Sequence, residues 1–125
     1  MTSSRSSGQE GERIVEGLLR YEETEILERQ VLVHGHLIDF LAKHPKWGEI
    51  LVEVKVWAAG GGKDTVKKAI GDAYDLREAG ETRPYVLILS HELLGLHGAM
   101  LSRAMRAGAI SEVRILGFRP FLGEA

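Results

Sequence analysis

The chain has 125 residues, of which 44% are hydrophobic and 27% charged, with a formal net charge of −2 and no cysteine. This length predicts one domain with a buried core, and the lack of thiols excludes disulfides and thiolate metal sites. The slightly acidic balance argues against a broadly basic surface, although a local basic patch is compatible with it.

The N-terminal segment predicts a tail followed by a helix. Residues 1–8 are polar and serine-rich and have no apolar core of a secretory signal, so we expect a disordered tail, a cytoplasmic protein and a single domain over residues 9–125. No segment approaches the roughly 20 apolar residues of a membrane span. From residue 9 to 20, apolar residues recur on one helical face: Ile14, Val15, Leu18 and Leu19.

Three apolar segments then predict three consecutive strands, namely Glu25–Val33, 36–42 and 49–57. His34-Gly35 and the segment before Gly48 are expected to form the turns between them, because glycine tolerates positive φ. The first strand has a polar centre, Glu28-Arg29-Gln30, and we therefore expect it at a sheet edge.

The second half of the chain alternates helices and strands. A glycine-rich loop leads to a helix that Asp64 is expected to cap and Gly80 to end. The unbroken apolar run Tyr85–Leu89 predicts a strand that is covered on both faces. A helix from residue 90 to 107 and a strand from 110 to 118 follow. The order α-β-β-β-α-β-α-β predicts an α/β fold with a mixed sheet and helices on both faces.

Three charged residues interrupt the apolar strands. Asp39 lies between apolar neighbours in the second strand, and Glu53 and Lys55 share one face of the third. A buried acid is costly unless it is paired or holds a cation, so we expect the three side chains to converge. Two carboxylates suit a hard cation such as Mg²⁺, and an ammonium group can stabilise charge on a phosphate.

The spacing of Asp39 and Glu53-Val54-Lys55, behind a helix that carries Glu12, resembles the PD-(D/E)XK nuclease superfamily, whose restriction-endonuclease-like core has the same element order. Within that superfamily the chain is most similar to small Holliday junction resolvases. The resemblance implies that Asp39, Glu53 and the Val54 carbonyl hold Mg²⁺ or Mn²⁺, that Lys55 is the catalytic lysine and that Glu12 completes the site. Ile38 stands where the name-giving motif has proline, and the chain is less basic than the resolvases.

This resemblance implies a Mg²⁺-dependent endodeoxyribonuclease whose substrates include branched, Holliday junction-like DNA. Lys63, Lys67 and Lys68, in and before the helix after the third strand, are then expected to contact phosphates. Because a chain of this size offers one active site, cutting both strands of a duplex requires a homodimer.

The residues leave other interpretations open. Asp39 could be a buried acid paired with Lys55 or Arg29 in a catalytically silent module that binds nucleic acid or a protein partner. Glu53 and Lys55 could be an ordinary solvent-facing strand pair, and an acid such as Glu12 early in a helix is favoured by the helix dipole alone. A third interpretation is a nuclease subunit that needs a partner to bring the DNA.

Overall fold

The computed structural model describes residues 22–55 and 63–115, together with Arg13, Val15, Glu16 and Leu19. Five strands and two helices lie in these ranges: β1 (Glu25–Val33), β2 (His36–His44), β3 (Gly48–Lys55), α1 (Lys63–Glu78), β4 (Tyr85–Leu89), α2 (His91–Arg106) and β5 (Glu112–Ile115). The four isolated residues near the N-terminus are helical. The predicted tail at residues 1–8, Glu12 and the predicted continuation of the last strand beyond residue 115 lie outside the described residues.

The five strands form one sheet in the order β1-β2-β3-β4-β5. Neighbours are antiparallel from β1 to β3 and parallel from β3 to β5. This mixed sheet with flanking helices confirms the predicted α/β class, and its strand order is consistent with a restriction-endonuclease-like fold. β1 lies at an edge of the sheet, as its polar centre predicted.

Apolar side chains on the two sides of the sheet form two clusters. The cluster that packs against α1 and α2 contains, from the central strands, Leu51, Tyr85, Leu87 and Leu89. The opposite cluster contains Phe40, Val52, Val54, Val86 and Ile88, with Val15 and Leu19 of the N-terminal helical residues. β4 contributes to both clusters and every one of its residues is buried, which explains why its sequence is apolar without alternation.

The β1–β2 hairpin folds over α1. Ile38 and Phe40 are two residues apart in β2, yet Ile38 packs with the α1 cluster and Phe40 with the opposite one. The outer part of the hairpin, residues 31–38, is called the hairpin arm below. Polar contacts hold it along α1, because His36 Nδ1 lies 3.1 Å from Asp72 Oδ1 and His36 Nε2 lies 3.5 Å from Asp75 Oδ2.

The arm bends away from the sheet at Gln30. This residue has φ 52, the left-handed conformation that non-glycine residues seldom adopt. Arg29 pairs with Phe40 and Val31 with Ile38, so Gln30 lies at the level of Asp39. The Arg29 side chain reaches Glu16 of the N-terminal helical residues, whereas Val31 packs with the α1 cluster. The side chains of β1 on the two sides of Gln30 therefore face different sides of the sheet.

The helix ends differ in detail from the sequence-based expectations. α1 begins at Lys63, so Asp64 lies in its first turn and is not its N-cap. Gly80 has φ 94 and follows the end of α1 as predicted. Ser90 is the N-cap residue of α2, although its side chain makes no capping hydrogen bond.

Within the part of the chain that the structure describes, no helix is long and apolar enough to cross a membrane.

Truncation of a buried leucine tests the two-sided packing of β4. Leu87 is 0% exposed in the α1 and α2 cluster, so Leu87→Ala is expected to lower the free energy of unfolding by about 2–5 kcal/mol through lost transfer energy and a residual cavity. Urea unfolding measures the change. The matched control is Leu32→Ala on the outside of the hairpin arm, where the side chain is 70% exposed and the expected change is within about 0.5 kcal/mol. Equal losses in the two variants would contradict this packing.

Candidate active site

β2 and β3 separate at the site. Backbone pairing between them extends from the pair His44 and Gly48 to the pair Phe40 and Val52. On the N-terminal side of Phe40, β2 belongs to the bend that leads into the hairpin arm. At this junction Asp39 Oδ2 accepts a hydrogen bond from the Val54 N–H at 2.8 Å, and Glu53 Oε1 accepts one from the Asp39 N–H at 3.1 Å. Carboxylates thus satisfy two backbone donors at the point where the strands part.

Lys55 completes the group on β3. Its Nζ lies 3.2 Å from Glu53 Oε2, with the lysine side chain 24% exposed and the glutamate side chain 9% exposed. The lysine is therefore the more exposed partner of this pair. The Lys55 carbonyl accepts the Ser90 N–H at 3.4 Å, which ties the end of β3 to the start of α2.

The structure brings Asp39, Glu53 and Lys55 together, as their spacing predicted, but with a different pairing for Asp39. Lys55 pairs with Glu53 and Arg29 pairs with Glu16, which contradicts the alternative interpretation that Asp39 is paired with Lys55 or Arg29. The hydrogen bonds to the Asp39 carboxylate come from neutral donors of described residues, the Val54 N–H and the Gln30 amide, whose Nε2 lies 3.4 Å from Asp39 Oδ1.

Burial and the neighbouring carboxylate of Asp39 raise the pKa of Glu53 from its ordinary value of 4.5 to about 7, and the opposing effects of Lys55 and of the Asp39 backbone N–H only partly offset them. Burial raises the pKa of the Tyr85 phenol, and the negative charges of Glu53 and Asp39 raise it further. This phenol is therefore neutral at physiological pH. Among the described residues, Lys55 contacts the carboxyl group of Glu53 and not that of Asp39, so the two carboxyl groups of the junction have one contacting cation between them.

This donor set fits a hard divalent cation. Mg²⁺ favours oxygen ligands, keeps several waters and is often held by one or two carboxylates. Asp39 Oδ1 and Glu53 Oε2 are the oxygens that do not bind the backbone, and their contacts are with the side chains of Gln30 and Lys55. Within the described ranges, no group of three or more histidine, aspartate or glutamate residues has the geometry of a metal site, so two carboxylates are the acidic ligands on offer there.

The other predicted site residues have less defined surroundings. Glu12 lies outside the described residues. Val54 meets the site through its N–H, which donates to Asp39. Lys63 is the first residue of α1 and Lys67 is exposed on the same helix. Lys68 is also exposed and its Nζ lies 3.1 Å from Asp72 Oδ2. The catalytic, metal-binding and phosphate-binding roles of all these residues stay predictions.

Gln30 is the residue at this site that the sequence analysis missed. As part of the polar centre of β1, it predicts only that this strand lies at an edge of the sheet. Its cross-strand position relative to Asp39 follows from the hairpin register, so counting back from the His34-Gly35 turn would have placed the two side by side. The left-handed backbone, in contrast, has no signal in a glutamine.

The sequence matches no protein-family model and no curated protein sequence. Among solved structures, the chain is similar to SfsA of Pyrococcus furiosus in complex with Ca²⁺, with 23% sequence identity and a TM-score of 0.48. The match covers 90% of this chain and 55% of the SfsA chain, so the chain spans about half the length of that protein. At this identity and TM-score the likeness supports no conclusion about function.

The raised pKa of Glu53 predicts a specific dependence of stability on pH. The unfolded chain releases this proton near pH 4.5 and the folded protein near pH 7, so the folded state binds more protons between these values and stability falls as the pH rises through them. Glu53→Gln removes this loss. We expect similar stabilities of the two proteins near pH 4.5 and an advantage for the variant on the order of 3 kcal/mol above pH 7.

Urea unfolding between pH 4.5 and pH 8, without divalent cations, measures this difference. Glu49→Gln is the matched control, because this acid starts the same strand with its side chain 52% exposed. A stability difference between wild type and Glu53→Gln that stays constant across the range would contradict the burial and charge assigned to Glu53.

Proposed function

We propose that this protein is a metal-dependent endonuclease that hydrolyses phosphodiester bonds in DNA. One observation carries the proposal: Asp39 and Glu53 meet where β2 leaves β3, and Lys55 contacts one of them. A buried ion pair without a catalytic role needs only one acid to balance the charge of its lysine. The second acid leaves a net negative charge in a mostly buried place, which a divalent cation would stabilise.

In this proposal the protein supplies ligands and one positive charge. Asp39 and Glu53 bind Mg²⁺ or Mn²⁺, with the Val54 carbonyl as a further ligand and Glu12 binding directly or through water. The bound ion supplies Lewis-acid stabilisation of phosphate charge and lowers the pKa of a coordinated water. Lys55, oriented by Glu53 and partly exposed, donates hydrogen bonds to the attacking water or to the phosphate as its negative charge grows.

The proposal extends to the substrate and the assembly. Lys67 and Lys68 are exposed on α1, the helix that follows β3, and together with Lys63 they would contact phosphates beside the scissile bond. Two strands would be cut by a homodimer that presents two sites. Branched DNA, including four-way junctions, is the proposed substrate class to compare with linear duplex.

Cleavage of a labelled DNA panel tests the activity. Linear duplex, flap, single-stranded and four-way junction DNA are each incubated with Mg²⁺ or Mn²⁺. Wild type is expected to cut at least one of them, and Glu53→Gln and Lys55→Ala are each expected to lose about 100-fold or more in rate. The first variant weakens a metal ligand, and the second removes the ammonium group that stabilises negative charge in the transition state. Glu49→Gln, on the same strand, is expected to keep the wild-type rate. Cleavage that persists in both site variants would contradict the proposed site.

A second candidate function is a catalytically silent module that binds nucleic acid or a protein. The observation that favours it is that both carboxylates have a structural task, since each accepts a backbone N–H across the parting strands. In that case Asp39, Glu53 and Lys55 stabilise the junction without any metal.

Thermal unfolding with Mn²⁺ separates the two candidates. A ligand that binds only the folded state stabilises it by about 2.7 kcal/mol at 100 times its Kd, so the nuclease proposal predicts that Tm rises with Mn²⁺ concentration in wild type and not in Asp39→Asn. An unchanged Tm together with no cleavage supports the silent module. A raised Tm without cleavage supports a nuclease subunit that acts only with a partner protein.

A further inference from the structure

We propose that Gln30 is a positioning residue for the metal-binding carboxylate of Asp39. This inference rests on the proposed function, because it concerns the same site, and it assigns a role to a residue of β1 that is neither an acid nor a base. The role is to hold the Asp39 carboxylate in one orientation while leaving its negative charge available to a cation.

The first support is the pair of hydrogen bonds to Asp39. The Val54 N–H binds Oδ2 at 2.8 Å, and the Gln30 Nε2 lies 3.4 Å from Oδ1. The donors come from the two strands on either side of β2 and contact different oxygens of the same carboxylate. Two such donors restrict rotation of the carboxylate about its terminal bond more than one donor does, which is how neighbouring groups orient metal ligands.

The second support is the backbone of Gln30. Its φ of 52 lies in the left-handed region, which is unfavourable for a residue with a side chain and free of that cost for glycine. Among the described residues, the other non-glycine residues with positive φ are Glu23 and His34, and both lie in turns. Gln30 lies within a strand. A strained backbone that keeps a side chain indicates that the side chain has a task there.

The third support is the charge of the donor. A neutral amide orients Asp39 without cancelling its charge, whereas a lysine or arginine at this position would form an ion pair with Asp39 and compete with a divalent cation. The cation next to it in sequence, Arg29, bonds to Glu16 instead. Gln30 thus orients the Asp39 carboxylate, while Arg29 pairs with Glu16 and not with Asp39.

Three variants test this role. Gln30→Gly removes the amide and relieves the left-handed backbone. Gln30→Lys keeps a long side chain and the backbone strain but brings a positive charge to Asp39. Glu23→Gly is the matched control, because it relieves a left-handed residue (φ 63) in the turn before β1. Each is compared with wild type by Tm without metal, by Mn²⁺ affinity from isothermal titration calorimetry, and by cleavage rate against Mn²⁺ concentration.

We expect both glycine variants to fold with a metal-free Tm equal to or above that of wild type, since each loses backbone strain. Gln30→Gly alone is expected to bind Mn²⁺ about tenfold more weakly, to need more Mn²⁺ for half-maximal cleavage, and to approach the wild-type rate at saturating Mn²⁺. Gln30→Lys is expected to bind Mn²⁺ more weakly still.

The failures of the two proposals are distinguishable. If wild type and Gln30→Gly bind Mn²⁺ equally well, the positioning role is wrong and the proposed nuclease site stands. If Gln30→Lys binds Mn²⁺ as tightly as wild type, the requirement for a neutral donor is wrong and the role assigned to Gln30 is overturned. If wild type binds no Mn²⁺ and cuts no DNA, the proposed function fails and the role of Gln30 fails with it.

Discussion

Two carboxylates of adjacent strands each accept a backbone N–H from the facing strand at the place where β2 parts from β3. Asp39 accepts the Val54 N–H and Glu53 accepts the Asp39 N–H. Without these bonds, parting strands would leave buried donors unpaired, at a cost of about 1–3 kcal/mol for each group. These two bonds therefore allow β2 to part from β3 while it stays paired with β1, and allow the hairpin arm to pack along α1. The position of the arm and the geometry of the acids depend on the same two hydrogen bonds.

The arm is also held at its far end. His36 lies between Asp72 and Asp75 on α1, and His34 Nε2 lies 3.3 Å from Glu81 Oε1. The Arg83 guanidinium, through its hydrogen bonds, lowers the pKa of Glu81 to about 2, so this acid is ionised at all ordinary pH values. Contacts at both ends fix the bend at Gln30 and Asp39 between them. The outer surface of the arm, in contrast, exposes Leu32 and Leu37.

Charge at the junction follows from burial. Burial of Glu53, and after it the neighbouring carboxylate of Asp39, raise the pKa of Glu53 to about 7, and Lys55 offsets only part of this rise. Binding of a proton or of a metal cation would each reduce the excess negative charge at the junction. The donors around Asp39 are neutral, so they neutralise none of this charge.

Several features could be predicted from the order of residues: the element order, the edge position of β1, the burial of β4 on both faces, and the closeness of Asp39, Glu53 and Lys55. These features follow from periodicity, turn residues and hairpin register, which are local along the chain. Three other features become visible only in the folded chain: Lys55 pairs with Glu53, Arg29 reaches Glu16, and the arm bends at Gln30. Those outcomes depend on one left-handed residue and on which distant side chains compete for each charge, and neither is encoded in a pattern of apolar and polar residues.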